Sequence, residues 1–278
     1  MDRVPFAFCS SVVATLGASS LVTNQFFSKL WQKAAEEDAR SRVSSYLQIA
    51  FMDGVWSYNI ILFGAVRQYD YVTFPKLKEL DRRHLHVVRI YMNCISFSNQ
   101  SSFDEIQDIV KYTYSCVDLA QFAVTGTKTW PNDALLKLLT IYQMTTFSRI
   151  SITNSSNTAV EYLLAHLKTC QLAIAEADRS NAVQVAIEDY ALHKPCERLE
   201  CNGGPEFSME FFAQLFDKPI TQRERFFLKF SFAEVDLKEF RKHLRTNSNA
   251  IPWKRRDGVR VEVSTVRGMH NYVIIMWY

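Results

Sequence analysis

His84 and His86 are the best metal-type pair in the sequence. Two histidines at i and i+2 share one face of a strand, where both imidazoles could bind an ion such as zinc. Such a site takes three or four ligands, and no third is suggested near them, so the pair reads as satisfied or surface histidines. Cys196 and Cys201 are separated by four residues with no histidine pair close by, which suits zinc poorly. Asp53 and Asp70 fall in predicted turns, and Asp104–Glu105 and Glu188–Asp189 on predicted helices. Adjacent carboxylates on a helix point to different faces and do not make a general acid/base pair. No strand-to-helix turn carries a phosphate loop, and the GxSxG and HExxH patterns are absent from the sequence. These residues favour a binding protein over an enzyme, with no cofactor and no metal expected. An enzyme whose groups converge from distant loops is the alternative.

The elements that would position such groups follow from composition and pattern. The chain has 278 residues, 48% of them hydrophobic, enough for one large domain or two. Gly and Pro are few, at 8 and 7, so nothing reads as low-complexity. Net charge is +3, from 32 basic and 29 acidic residues. The dense basic clusters, 241–245 and 254–260, read as solvated surface, and no nucleic-acid partner is expected. Six scattered cysteines (Cys9, Cys94, Cys116, Cys170, Cys196 and Cys201) read as free thiols of a reducing compartment, cytoplasm or nucleus. No apolar run reaches the roughly 18 residues of a membrane-spanning helix, so no membrane partner is expected. Val4 to Val22 could pass for a secretory signal, but Asp2, Pro5 and the serine pairs Ser10–Ser11 and Ser19–Ser20 interrupt that pattern.

Residues 1–40 are predicted helical. Pro5 suits a first helical turn, Phe8, Val12, Val13 and Leu16 follow at helical spacing, and Gly17 stops the helix. A second helix is predicted over Ser20–Arg40, with Leu21, Phe27, Leu30, Trp31 and Ala34 as its apolar stripe and Glu36, Glu37 and Asp38 as its solvated end. Val43–Phe51 and Val55–Val66 then read as a hairpin about Asp53–Gly54. A loop with Tyr69, Tyr71 and Phe74 follows, broken by Pro75.

From residue 84 a unit repeats: short apolar strand, polar residues, amphipathic helix. Strands are predicted at His86–Met92, Val117–Val124, Arg149–Thr153, Gln171–Glu176, Arg198–Asn202 and Phe227–Phe232. Helices are predicted at Asp104–Cys116, Pro131–Leu139, Asn157–Thr169, Ser180–Leu192 and Ser208–Phe216. The strand centres are 31, 31, 22, 27 and 29 residues apart, the period of a β–α solenoid such as a leucine-rich-repeat-like array. Ser102, Asn157 and Ser208 stand as N-caps, each with an acid soon after. Units of this kind stack into a curved parallel sheet backed by helices, leaving an open sheet face for binding. A doubly wound α/β domain is the alternative. An Asn/Cys ladder is visible only loosely, at Asn202. Val259–Thr265 and Tyr272–Tyr278 read as a C-terminal hairpin that caps the array, with Gly268 at its turn and Asp257–Gly258 before it. The tryptophans, Trp31, Trp56, Trp130, Trp253 and Trp277, read mostly as core.

The first forty residues carry the most specific pattern: Val4-Pro5, Phe8-Cys9, Val12-Val13, Leu16, Leu21 and Trp31. This segment resembles an F-box, and the chain is similar to nematode F-box-type proteins, which often open on a Val-Pro-Phe step as Val4-Pro5-Phe6 does here. The resemblance implies a helical F-box-like segment over 1–41 and a substrate- or partner-binding domain over 42–278. It implies that Val4, Pro5, Phe8, Val12, Val13, Leu16, Leu21 and Trp31 contact a Skp-type adaptor or form the module's core. The adaptor would link the chain to a cullin-based ubiquitin ligase while the second domain holds an unknown target protein. The chemistry would belong to partner enzymes. Three positions depart from the family pattern: Val4 for Leu, Cys9 for a larger aliphatic, and polar Asn24. The alternative is a ligase-independent interaction scaffold whose N-terminal helices only cap the repeats.

Overall fold

Asp53 and Gly54 both have positive φ, 52° and 81°, and their two-residue turn closes the first hairpin of the sheet. Two left-handed residues in a tight turn match the twist of the strands they join. The computed structural model describes residues 5–14, 28–64, 69–169, 171–175, 180–194, 197–202, 207–208, 210–211, 214–215, 226–231, 250–254, 260–266 and 272–277, with backbone alone for Ala14, Asp118, Leu119 and everything from Phe226 onward. The fold is mixed α/β, with a mostly parallel central sheet and seven α-helices among the described residues. It divides into two compact units, Met1–Gln121 and Phe122–Tyr278, so the boundary falls within one strand, Val117–Thr125.

The first unit opens with helices α1 (Phe6–Ala14) and α2 (Lys29–Ser41). Cys9, Val13 and Ala34 close their shared core, with Phe6, Leu30, Trp31 and Ala35 packed around it. One residue, Arg42, separates α2 from strand β1 (Val43–Met52), which pairs antiparallel with β2 (Val55–Phe63) and parallel with β4 (Leu85–Asn93). The outer edge of β2 takes two short strands, β3 (Tyr69–Val72) and β5 (Asn99–Ser101). Helices α3 (Phe74–Lys78) and α4 (Phe103–Tyr114) lie over the buried sheet face. Tyr58 there accepts a hydrogen bond from the Phe74 N–H at 3.2 Å, and the Trp56 ring stands 5.2 Å from Phe103. Helix α4 is N-capped by Ser102, whose Oγ accepts from Glu105 N at 3.2 Å, and the Glu105 carboxylate accepts from Ser101 Oγ at 2.6 Å.

The second unit holds the rest of β6 (Val117–Thr125), α5 (Asn132–Ile141), β8 (Arg149–Thr153), α6 (Asn157–His166), β10 (Gln171–Ala175), α7 (Asn181–His193), β11 (Arg198–Asn202) and β12 (Phe226–Ser231). Two two-residue strands, β7 (Thr146–Phe147) and β9 (Lys168–Thr169), pair with each other. Strands β8, β10, β11 and β12 are parallel neighbours in chain order. Beyond β12 the pairing turns antiparallel through β15 (Tyr272–Trp277), β14 (Arg260–Val266) and β13 (Ala250–Lys254). Burial alternates along β8, β10 and β11. Ile150, Ile152, Leu172, Ile174, Leu199 and Cys201 are buried, while Ser151, Ala173 and Glu200 between them are half-exposed. Strands covered on both faces read as continuous apolar runs instead. Helix α5 packs on α6 and α6 on α7. Past the strand ends, Gly126 N donates to Thr153 O at 3.0 Å, Asn154 N to Ala175 O at 3.1 Å, and Ser155 Oγ to Val124 O at 2.9 Å.

Several expectations need correction. Tyr69, Asp70 and Tyr71 lie on a strand, not in a loop or turn, because the edge of β2 pairs with them. Asp38 is not at a solvated helix end; it is 2% exposed, held by Arg42 and His84. The histidine pair does not share a strand face: His84 ends a 3-10 turn, Arg82–His84, and His86 is buried on β4. The α6 cap is Ser156, whose Oγ accepts from Ala159 N, and Asn157 is the first helical residue. Strand β13 was not anticipated. Val4, Leu16, Gly17, Leu21, Asn24, Phe27, Cys170, Cys196, the cluster 241–245, Asp257–Gly258 and Gly268 lie outside the described residues.

Candidate functional site

Helix α1 turns its small and apolar side, Cys9 and Val13, into the contact with Ala34 of α2. Phe6 packs against the same core, while Ala7, Phe8 and Ser11 face outward. Pro5 is exposed, Phe8 is 55% exposed, Val12 is half-buried and Val13 is buried. Trp31 on α2 is half-buried and meets Phe8 edge-on, with ring centroids 6.3 Å apart and planes at 82°. Edge-to-face geometry sets the positive rim of one ring against the negative face of the other. Pro5, Phe8, Val12 and Trp31 are the expected residues brought to the outside of the pair. Cys9 is fully buried, where a small thiol behaves as a compact apolar group.

The base of this helical pair is fixed to the sheet. Asp38 Oδ2 accepts from Arg42 Nη2 at 2.6 Å and from Nε at 3.0 Å, and Asp38 Oδ1 lies 3.4 Å from His84 Nδ1. The Asp38 and Arg42 side chains are nearly fully buried, so the pair needs its mutual hydrogen bonds to offset desolvation. His84 directly precedes β4, so the carboxylate of α2 faces the start of that strand.

A second surface lies on the open sheet face of the first unit. Between Ser45 and Tyr46 the register of β1 against β4 slips by one residue, leaving Val88 as a bulge. Val87 is therefore buried before the slip, and Ile90 and Met92 after it. Arg89 and Tyr91 then line up with Tyr46 and Gln48 on the open side, the kind of re-aiming a bulge performs. On β2 the same side carries Asn59, Ile61 and Phe63, and on β3 it carries Tyr69 and Tyr71, exposed by 66% and 65%. Tyr46 lies 4.6 Å from Phe63, and Phe63 lies 6.1 Å from Tyr69. The Arg89 guanidinium sits 5.1 Å from the centre of the Tyr46 ring. Its Nε donates to Gln121 Oε1 at 3.0 Å and its Nη1 to the Tyr91 hydroxyl at 3.2 Å. Half-buried aromatic rings with an arginine are the composition of interface hot spots. Sequence reading missed this face. The i, i+2 pairs Tyr69/Tyr71 and Arg89/Tyr91 were the available signal, but aligning them needs the bulge.

The remaining polar groups serve local structure. Asp81 caps the 3-10 turn by accepting from Arg83 N at 3.0 Å. The hydrogen bonds from the Arg83 side chain and backbone hold its carboxyl at about 2, below its ordinary 3.8. His193 pairs with Asp189 on the exposed side of α7 at 2.9 Å. Among the described residues no three His, Cys, Asp or Glu converge as a metal site, and no helix is long and apolar enough to cross a membrane. Cys9, Cys94 and Cys116 are free thiols.

Neither a family model nor a curated protein matches the chain. Two solved structures of the MycE methyltransferase from the mycinamycin biosynthetic pathway align with 98% of this chain and 92% of theirs. The complex with Mg and SAH gives a TM-score of 0.23 at 9% identity. The complex with Mg, SAH and mycinamycin VI gives 0.25 at 8%. Likenesses this low carry no argument about fold or activity.

Proposed function

We propose that the chain is a non-catalytic substrate receptor of a Skp–cullin–F-box-type ubiquitin ligase. In this reading α1 and α2 dock a Skp-type adaptor, and the β–α array holds a target protein. The observation that carries it is the Phe8–Trp31 pair, a large exposed aromatic against a half-buried tryptophan. Exposed apolar groups clustered on an otherwise closed helical pair mark an interaction site. Pro5 and Val12 extend this patch, Val13 closes its core, and Val4, Leu16 and Leu21 belong to the same F-box-like pattern. A leucine-rich-repeat-like array is supported by parallel neighbours in chain order, by burial on one face of β8, β10 and β11, and by the helix-on-helix packing of α5, α6 and α7. A receptor of this kind would work in the cytoplasm or nucleus.

One observation favours the alternative of a ligase-independent scaffold. Only Arg42 lies between α2 and β1, and Asp38 reaches His84 ahead of β4, as expected of helices that merely cap a sheet. Co-purification of the full chain with a Skp-type adaptor separates the two. The ligase reading expects a stable complex that is lost when Phe8 and Trp31 are both changed to Ala. The scaffold reading expects no complex, or one indifferent to these changes.

A further inference from the structure

We infer that the open sheet face of the first unit binds an extended acidic peptide segment, with its apolar side chains on the Tyr46–Phe63–Tyr69 row and a carboxylate on Arg89. The inference rests on the receptor reading, but not on the adaptor.

Two features of the face argue for this occupant. The first is the row itself. Tyr69, Phe63 and Tyr46 cross three neighbouring strands, with centroid steps of 6.1 and 4.6 Å, and Tyr71 flanks it from β3. Such rings offer shallow apolar seats to side chains laid across the strands. The second is charge. Arg89, on the fourth strand, is held by two neutral acceptors, Gln121 and Tyr91, and by the Tyr46 ring. Among the described residues no carboxylate pairs with it. Tyr46, Gln48, Asn59, Ile61, Phe63, Tyr69, Tyr71, Tyr91 and Gln121 on the same side carry no acidic group. The face therefore presents one fixed guanidinium beside an aromatic row, and a planar guanidinium pairs with a carboxylate by paired N–H donors. It is also preorganised, since its neighbours hold it before any ligand arrives.

The geometry sets the spacing of the ligand. Three strand spacings separate β3 from β4, about 14 Å. An extended peptide covers that in about four residues at roughly 3.3 Å each. The carboxylate should therefore fall about four residues from the side chain seated on Tyr69.

Fluorescein-labelled synthetic dodecapeptides test this on the full chain, without adaptor. Each carries two Phe residues two positions apart and one Glu at a varied distance, with the matching Gln peptides as isosteres. Fluorescence anisotropy should show the tightest binding with Glu about four residues from the outer Phe, and about tenfold weaker binding of the Gln isostere. Arg89→Gln should abolish that discrimination and Arg89→Lys should keep part of it. Tyr69→Ser and Tyr71→Ser, at exposed positions outside the core, should weaken both peptides alike. Absence of binding to the Glu peptides, a Glu/Gln ratio unchanged in Arg89→Gln, or equal binding of a Lys-substituted peptide overturns the inference. A chain that binds the adaptor but not these peptides refutes this inference alone. One that binds the peptides but no adaptor refutes only the ligase reading.

Discussion

Phe8 of α1 meets Trp31 of α2 edge-on, at 6.3 Å between ring centroids, yet more than half of Phe8 remains in solvent. The two rings therefore contribute unequally to stability. Phe8→Ala removes little buried area and should change unfolding free energy by less than about 0.5 kcal/mol. Trp31→Ala strips a half-buried ring from the small core of Cys9, Val13 and Ala34 and should cost about 2 kcal/mol. Urea denaturation of the two variants reads this difference.

Asp38 ought to be a point of weakness. Its carboxylate is enclosed with Arg42 and faces His84, so Asp38→Ala leaves a guanidinium buried without its counter-charge. Removing one partner of a buried pair costs about 3–5 kcal/mol. Arg42→Met with Asp38→Leu, which removes both charges, should recover most of that loss. Thermal or urea unfolding of the single and double variants measures it. Equal destabilisation by both would contradict the pairing.

Gly54 and Gly64 provide an internal contrast. A side chain at either position meets no atom within 4 Å, but only Gly54 has positive φ, +81°. Gly54→Ala should therefore lose about 1 kcal/mol from backbone strain alone. Gly64→Ala should be neutral or slightly stabilising, by up to about 1 kcal/mol, because it reduces the entropy of the unfolded chain. Differential scanning calorimetry distinguishes the two.

Much of the parallel sheet was legible in the sequence. Strands β4, β6, β8, β10, β11 and β12 lie within two residues of their expected bounds, because alternation of apolar and polar residues is a local signal. The Asp53–Gly54 turn was equally local. What escaped was set by partners distant in sequence. The bulge at Val88 exists only relative to β1, so the alignment of Arg89 with Tyr46 could not be read. Tyr69 and Tyr71 become a strand because β2 offers an edge. Asp38 reads as solvated on a helical wheel, and its burial comes from Arg42 and His84. Pro252 did leave a usable sign: β13 ends the antiparallel series, and an edge is where a strand tolerates proline. Helical spacing grouped Phe8 with Val12, Val13 and Leu16 without telling which of them faces out, and the contact of Phe8 with Trp31 needed the second helix.

Asp81 gives a pH signature. Its carboxyl is held at about 2 by the hydrogen bonds from Arg83, below its ordinary value, so it favours the folded state while ionised. That contribution is present above about pH 4 and is lost as pH falls towards 2. Arg83→Gln should return the Asp81 titration, followed by carboxyl NMR shifts, towards 3.8. An Asp81 midpoint unchanged in that variant would contradict the assignment.

Docking of a Skp-type adaptor on the exposed face of α1 and α2 is the proposal on which the ligase reading stands. Isothermal titration of the full chain with purified adaptor tests it most directly. Adaptor docking gives saturable binding in the wild type and at least about a tenfold loss in Phe8→Ala, whose fold remains intact. No heat of binding in the wild type, or unchanged affinity in Phe8→Ala, would contradict it.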